Sequence, residues 1–240
     1  MPGLYSMLSA LTVNLFPMES QREGWVLSNY DRRFKKLKLT FGSKNISGNV
    51  VAFHFSGQNK QSTIADLENG LVENNEFKGI RALIIGGSRG LGNKVAKILC
   101  AGGGAVTITY SNGKLEANAF QRELLLEGKV CEAEKFTVGE DCFNSILKEQ
   151  YNQIYYFASP KIFDRKLTGF DVTQYQKFRN FYLRYFSDLC HAAATNGLDC
   201  RIFYPSSVAV GERTTGMEEY AKAKREGEKF CEKFSLDGGI

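Results

Sequence analysis

Apolar and polar positions follow two rhythms along this chain. Up to about residue 57 they alternate in short runs, "LTVNLF" (11–16), "WVLSNYD" (25–31), "LKLTF" (37–41) and "NVVAFHF" (49–55), separated by turn-rich stretches such as "GSKNISGN". A two-residue period bounded by turn residues predicts strands, and so a small β-rich segment. "PGLYSML" (2–8), ahead of them, predicts a short helix. "SGQNKQST" reads as a polar join, and "TIADLENGLVEN" (63–74) as a short amphipathic helix. From Gly79 the rhythm becomes strand–helix–strand–helix. Strands are expected at 80–85, 104–110, 131–137, 153–158 and 200–205, and helices at 90–101, 114–126, 140–150, 172–195 and 216–234. That alternation predicts an α/β architecture, a Rossmann-type doubly wound parallel sheet with helices on both faces. The expected organisation is a β-rich segment over 1–57, a linker with a short helix over 58–78, and a nucleotide-binding domain over 79–240.

Composition leaves this picture standing and removes several functions. With 240 residues, 43% hydrophobic and 24% charged, the chain is ordinary globular material that can bury a substantial core. No apolar run approaches the ~20 residues of a membrane span, and the start lacks the basic lead of a signal peptide. Six cysteines without C-x-x-C pairing read as free thiols of a reducing compartment, so a cytoplasmic protein is expected. The two histidines, His54 and His191, fall in strand and helix contexts, and no metal site is expected. Net charge is +5, part of it in "RRFKKLK". Because Leu37, Leu39 and Phe41 alternate with Lys36, Lys38 and Thr40, those cations are expected on the solvated face of a strand, with no nucleic-acid partner.

The candidate chemistry begins at "ALIIGGSRGLGNKVAKIL" (82–99), where an apolar strand runs into spaced glycines that open a helix. A dinucleotide cradle needs glycine for the sharp turn, for close approach of the backbone to a pyrophosphate, and for packing of helix on strand. Helix N-terminal amides then face the phosphate. The spacing Gly86-x-x-x-Gly90-x-Gly92 is equally that of a glycine-softened turn, and the stretch alone leaves both readings open. Downstream, "MEEYAKAKREGEKF" places Tyr220 and Lys224 four residues apart on one helix face. Ser206 and Ser207 close the expected strand "RIFYPSS", with Ser207 thirteen residues before Tyr220. A second Y-x-x-x-K, Tyr110 to Lys114, runs through an Asn-Gly turn and has no helix to align it.

Over Gly79–Ile240 this spacing of glycine loop, serine, tyrosine and lysine resembles the short-chain dehydrogenase/reductase family, above all its 3-oxoacyl-thioester reductases, whose loops look like "GGSRGLG". The resemblance implies a nicotinamide cofactor held by Gly86, Ser88, Arg89, Gly90, Leu91, Gly92, Ser111, Ala158 and Ser159, with Tyr220 and Lys224 at the nicotinamide ribose. It implies Ser207, Tyr220 and Lys224 as the catalytic set of an oxidoreductase acting on a small-molecule or acyl-thioester carbonyl, a place in fatty acid metabolism, and a homo-oligomer. A free tyrosine titrates near pH 10, and a neighbouring ammonium lowers that value, so Tyr220 would give a proton to the carbonyl oxygen while Ser207 hydrogen-bonds it. NAD enzymes place an acid at the end of the second strand. Here Tyr110 stands there, with Arg89, Ser111, Asn112 and Lys114 nearby and no repelling carboxylate expected, which favours NADP. The rival reading is a non-catalytic nucleotide-binding or scaffold protein derived from such a reductase.

The chain departs from the family at several points. Tyr156-Phe157-Ala158-Ser159 replaces the usual Asn-Asn-Ala-Gly, Thr137 stands near the acid expected after the third strand, and Tyr182 takes the place of the helix asparagine, with Asn180 two positions early. "LDGGI" ends the chain about where the family's sixth strand would begin, as expected of a fragment or of a natural short form with a compromised nicotinamide side. Residues 1–57 weakly resemble the back half of a hot-dog acyl dehydratase, without its catalytic Asp-x-Asn-Pro-x-His run.

Overall fold

The computed structural model describes residues 6–15, 23–31, 35–54, 62–68, 75–147, 151–162, 169–211 and 216–236. The polar join over 56–61, the later part of the helix expected over 63–74, residues 148–150 and the end of the chain from 237 lie outside the described residues. Contacts divide the chain into two compact units, Met1–Lys60 and Gln61–Ile240.

The first unit is an antiparallel sheet of β1 (Ser6–Leu15), β2 (Gly24–Asp31), β3 (Lys36–Ser43) and β4 (Ile46–His54), in the order β1-β4-β3-β2. In β3 the alternation appears as expected: Lys36, Lys38 and Thr40 are exposed, while Leu37, Leu39 and Phe41 are half-buried. Lys36 additionally lies over the Phe53 ring of β4. The helix expected over 2–8 is overturned at Ser6–Leu8, which pair with His54, Phe53 and Ala52. The ladder to β4 satisfies backbone groups that a helix this short could hold only marginally. The hot-dog resemblance is not supported, since the described residues of this unit contain no helix for the sheet to wrap.

The second unit is built on five parallel strands, β5 (Arg81–Ile85), β6 (Ala105–Tyr110), β7 (Cys131–Lys135), β8 (Gln153–Tyr156) and β9 (Arg201–Phe203), in the order β7-β6-β5-β8-β9. This is the expected Rossmann-type doubly wound sheet. Strand β5 has core on both sides. Ala82 and Ile84 pack with α2 (Gly90–Ala101) and α3 (Lys114–Leu126) through Ala96, Leu99, Ala117 and Phe120. Leu83 and Ile85 face the opposite layer, with Phe186, Leu189 and Ala193 of α5 (Tyr185–Thr195) and Phe230 and Phe234 of α6 (Glu218–Leu236).

A short α1 (Ile64–Glu68) is tied to this unit by a buried cation. Lys97, 3% exposed, donates to the Ser62 carbonyl (2.9 Å) and to Glu123 (2.7 Å), whose other oxygen accepts from Ile64 N (3.1 Å). Between β8 and β9 one continuous helix covers the expected 172–195. It begins as α4 (Val172–Arg179), capped by Asp171 Oδ1 accepting from Thr173 N and Gln174 N, passes through a π turn at Asn180–Arg184, and continues as α5. Among the described residues of the helix expected over 140–150, the structure has a 3-10 turn at Phe143–Ser145 and no α-helix. Phe143, Ile146 and Leu147 are buried at helical spacing, but Asp141 accepts from Thr137 N (2.7 Å) and bridges to Val138, holding the chain in a tight loop instead. No helix among the described residues is long and apolar enough to cross a membrane. All six cysteines are free, and Cys142 alone among them is exposed.

Candidate functional site

Sheet order reverses direction between β5 and β8, the place where open α/β sheets form ligand crevices. The glycine loop follows β5. Gly86 has φ +83°, and a Cβ on it would lie 2.9 Å from Ala158 N in the loop after β8, so the two loops touch backbone to backbone. Gly86 N donates to Thr109 Oγ1 (3.2 Å) and Gly87 N to the Thr109 carbonyl (3.0 Å), fixing the turn to the end of β6. A Cβ on Gly87 would meet Ile108 at 2.7 Å, and one on Gly92 would meet the Gly86 carbonyl at 2.5 Å. Glycine is thus required for the close packing of α2 on its strand.

A cavity of about 520 Å³ opens beside this loop. Of the residues expected at the cofactor, Gly86, Ser88, Arg89, Ser111, Ala158 and Ser159 line it. Gly90, Leu91 and Gly92 do not; they form the first turn of α2, with the Leu91 side chain exposed. Thr137 and Phe157, marked in the sequence as departures from the family's pattern, line it as well, and so do Lys161, Lys177 and Phe181, which were missed. Lys161 and Lys177 fall outside any motif. Ser111, next to the Tyr110 that stands where the acid of the second strand end was expected, shares a hydroxyl contact of 3.1 Å with Thr137, near the place of the third strand's acid. Among the described residues the lining carries Arg89, Lys161 and Lys177 and no carboxylate. One expectation needs correction. Glu116, in the first turn of α3, lies 4.0 Å from Arg89, so a carboxylate does stand beside the loop cation. Lys114 opens α3 and does not line the cavity.

Ser207, Tyr220 and Lys224 do not line that cavity either. Tyr220 and Lys224 belong to a second cluster, where Tyr220 (8% exposed) packs edge-on to Phe178 and Tyr182 at ring distances of 5.7 and 5.3 Å. Lys224, 4% exposed, donates from Nζ to the Pro205 carbonyl at 2.5 Å. Burial pushes its ammonium down to about 8, with Glu228 and Cys231 acting the other way. Ser207 Oγ caps the turn Val208–Val210 by accepting from Ala209 N (3.3 Å), and Ser206 Oγ donates to Glu228. Cavity and cluster meet at Phe181, which lines the one and packs against the other, and at a 2.6 Å hydrogen bond between the hydroxyls of Ser159, in the cavity wall, and Tyr182, in the cluster. The other Y-x-x-x-K, Tyr110 to Lys114, joins a strand end to a helix start and shares no face.

No protein-family model and no curated protein matches the chain. Solved structures share its fold. A short-chain dehydrogenase from Burkholderia cenocepacia J2315, in complex with NADP, superposes with a TM-score of 0.59 at 24% identity, over 68% of this chain and 70% of that one. A 3-oxoacyl (acyl-carrier-protein) reductase from Agrobacterium tumefaciens C58, with NADP bound, gives 0.60 at 17% identity, over 76% and 70%. The E. coli oxidoreductase yciK gives 0.61 at 13% identity, over 70% and 73%.

Proposed function

We propose that the chain is an NADP-dependent reductase of the short-chain type, acting on a carbonyl compound, with a 3-oxoacyl thioester as the first substrate to try. The observation that carries this reading is the cavity at the β5/β8 reversal. It joins a glycine loop with no room for side chains at Gly86, Gly87 and Gly92 to a lining that, among the described residues, carries Arg89 and Lys177 and no carboxylate, chemistry suited to a phosphorylated dinucleotide. Similar solved structures crystallised with NADP support the same cofactor. Gly86, Gly87 and Ser88 would take the pyrophosphate, and Arg89, Ser111 and Asn112 the ribose phosphate. When bound, the reduced cofactor supplies hydride to the carbonyl carbon.

The residues of this chain supply the proton and hold the charge. Tyr220 Oη gives its proton to the carbonyl oxygen as the hydride arrives, leaving an alcohol and a tyrosinate stabilised by the Lys224 ammonium. Ser207 Oγ accepts from Ala209 N and keeps its own proton to donate to the same oxygen. NADPH fluorescence titration followed by turnover on a 3-oxoacyl thioester tests the reading, with Tyr220→Phe expected to keep cofactor binding and lose at least ~10²-fold in kcat. Undiminished turnover in that variant would refute the assignment.

A second reading has an observation of its own. Tyr220 and Lys224 lie behind Ser159 and Tyr182 rather than in the cavity wall, as a nucleotide-binding protein without turnover would allow. Binding of NADPH with no oxidation of it by any carbonyl tried would favour that reading.

A further inference from the structure

We propose that Tyr182 is a positioning residue for the reaction: its ring face holds the Lys224 ammonium beside Tyr220, and its hydroxyl ties that assembly to the cavity wall through Ser159. The inference rests on the reading of Tyr220 and Lys224 as the proton-donating pair.

Local structure brings the ring there. The wide π turn at Asn180–Arg184 carries Tyr182, which stacks on Phe178 one turn earlier at 6.1 Å and 22°. Helix α6 can approach this turn because Gly227 faces it. A Cβ there would lie 2.5 Å from the Tyr182 carbonyl and would collide with the Tyr204 hydroxyl. Lys224 sits one turn before Gly227, so the same close approach lays its ammonium on the ring.

The charge has little else to hold it. Lys224 Nζ lies 4.0 Å from the centroid of Tyr182, 4.6 Å from that of Tyr204 and 6.0 Å from that of Tyr220. The groups facing it among the described residues, apart from the Pro205 carbonyl, are these three rings and Glu228 and Cys231 of its own helix. Among the described residues no carboxylate reaches ion-pair distance of Nζ, and Glu228 is hydrogen-bonded to Ser206. A desolvated ammonium over an aromatic face is where cation–π attraction is strongest. Tyr182 is the nearest ring, and of the three it alone is hydrogen-bonded to a cavity-lining hydroxyl.

The test is a titration of the Lys224 ¹⁵Nζ resonance by NMR in the full chain, the signal assigned by its loss in Lys224→Gln. Wild type should titrate near 8. Tyr182→Phe keeps the ring face and should leave the midpoint in place. Tyr182→Leu removes the attraction for the charged form and should lower the midpoint by about one unit, equivalent to about 1.4 kcal/mol. Fluorinated phenylalanines introduced at Tyr182 keep the ring's shape while draining its face of electron density, so their midpoints should fall stepwise even if Tyr182→Leu fails to fold. A flat fluorination series, or an unchanged midpoint in folded Tyr182→Leu, overturns the proposal. The alkaline limb of the kcat profile should move with the midpoint, and a limb that stays put while the midpoint moves overturns the positioning role. If wild type binds NADPH but reduces nothing, the reading of function falls, while the titration still decides whether Tyr182 holds the Lys224 charge.

Discussion

Replacing Arg89 by alanine should weaken NADPH binding and leave NADH binding nearly unchanged. Arg89 and Glu116 lie 4.0 Å apart with side chains 69% and 49% exposed, so charges at this loop act through nearly bulk water. At that separation and dielectric a pair of unit charges is worth about 1 kcal/mol. A doubly charged 2′-phosphate making a similar contact would gain about 2 kcal/mol, reduced to roughly 1.2 kcal/mol by a screening length of about 8 Å in physiological salt. Arg89→Ala should therefore cost about 8-fold in NADPH affinity at that ionic strength, more in dilute buffer, and almost nothing for NADH. Glu116→Gln should act oppositely. It frees the guanidinium from its 4.0 Å neighbour and removes a repelling carboxylate, so NADPH should bind roughly 3-fold tighter. Calorimetric titration of both cofactors at two salt concentrations measures all four effects. Equal losses for NADPH and NADH in Arg89→Ala, or weaker NADPH binding in Glu116→Gln, would refute the assignment of the 2′-phosphate to this corner.

Other perturbations test the frame around the site. Lys224→Met should abolish turnover yet unfold at higher urea than wild type at pH 7, because below pH 8 the lysine is charged in both states and folding carries the full cost of burying it. Its depressed native value of about 8 against the ordinary 10.5 makes that cost of order 3 kcal/mol, and the gap between variant and wild type should close as pH rises from 8 towards 10.5. Equal gaps at pH 7 and pH 10 would contradict the burial argument. Gly227→Ala improves helix propensity by about 1 kcal/mol but forces a Cβ against the Tyr182 carbonyl, so a net loss of about 1–2 kcal/mol is expected in denaturant titrations, and a stabilised variant would show that α6 has room to move. Lys97→Met strands the Ser62 carbonyl and Glu123 and should cost about 1–3 kcal/mol, much of it recovered in the double variant with Glu123→Leu; additive losses in the pair would sink that account.

What the sequence made legible follows from local chemistry. Ala82–Ile85 is apolar at every position because core lies on both sides of β5, and Gly86 and Gly92 after it mark contacts of backbone with backbone that no side chain permits. The alternation in β3 was equally plain, since one period separates Lys36, Lys38 and Thr40 from Leu37, Leu39 and Phe41. The features that escaped are those set by tertiary contact. Ser6–Leu8 reads like a helix until β4 offers it a ladder. Phe143, Ile146 and Leu147 have helical spacing in a stretch that Asp141 holds as a loop. Glu116 reaches Arg89 only because α3 starts beside the glycine loop. Likewise, Tyr220 and Lys224 were identifiable as a pair, but their enclosure by Tyr182 and Tyr204 depends on residues far apart in the chain.

The π turn at Asn180–Arg184 also bears on how this chain is to be compared with others. A turn closed by i→i+5 bonds absorbs one residue more than an α turn without lengthening the frame at either end. Tyr175 and Phe178 on one side of it, and Phe186, Leu189 and Ala193 on the other, each meet their own partners because the surplus residue is taken up between them. A relative built on a plain α-helix would span from the Asp171 cap to Asn196 with one residue fewer and still dock both ends. Any alignment that forbids a gap inside this helix will then slip by one on one side of Tyr182, and will misjudge which residue has replaced which at the cluster facing Lys224.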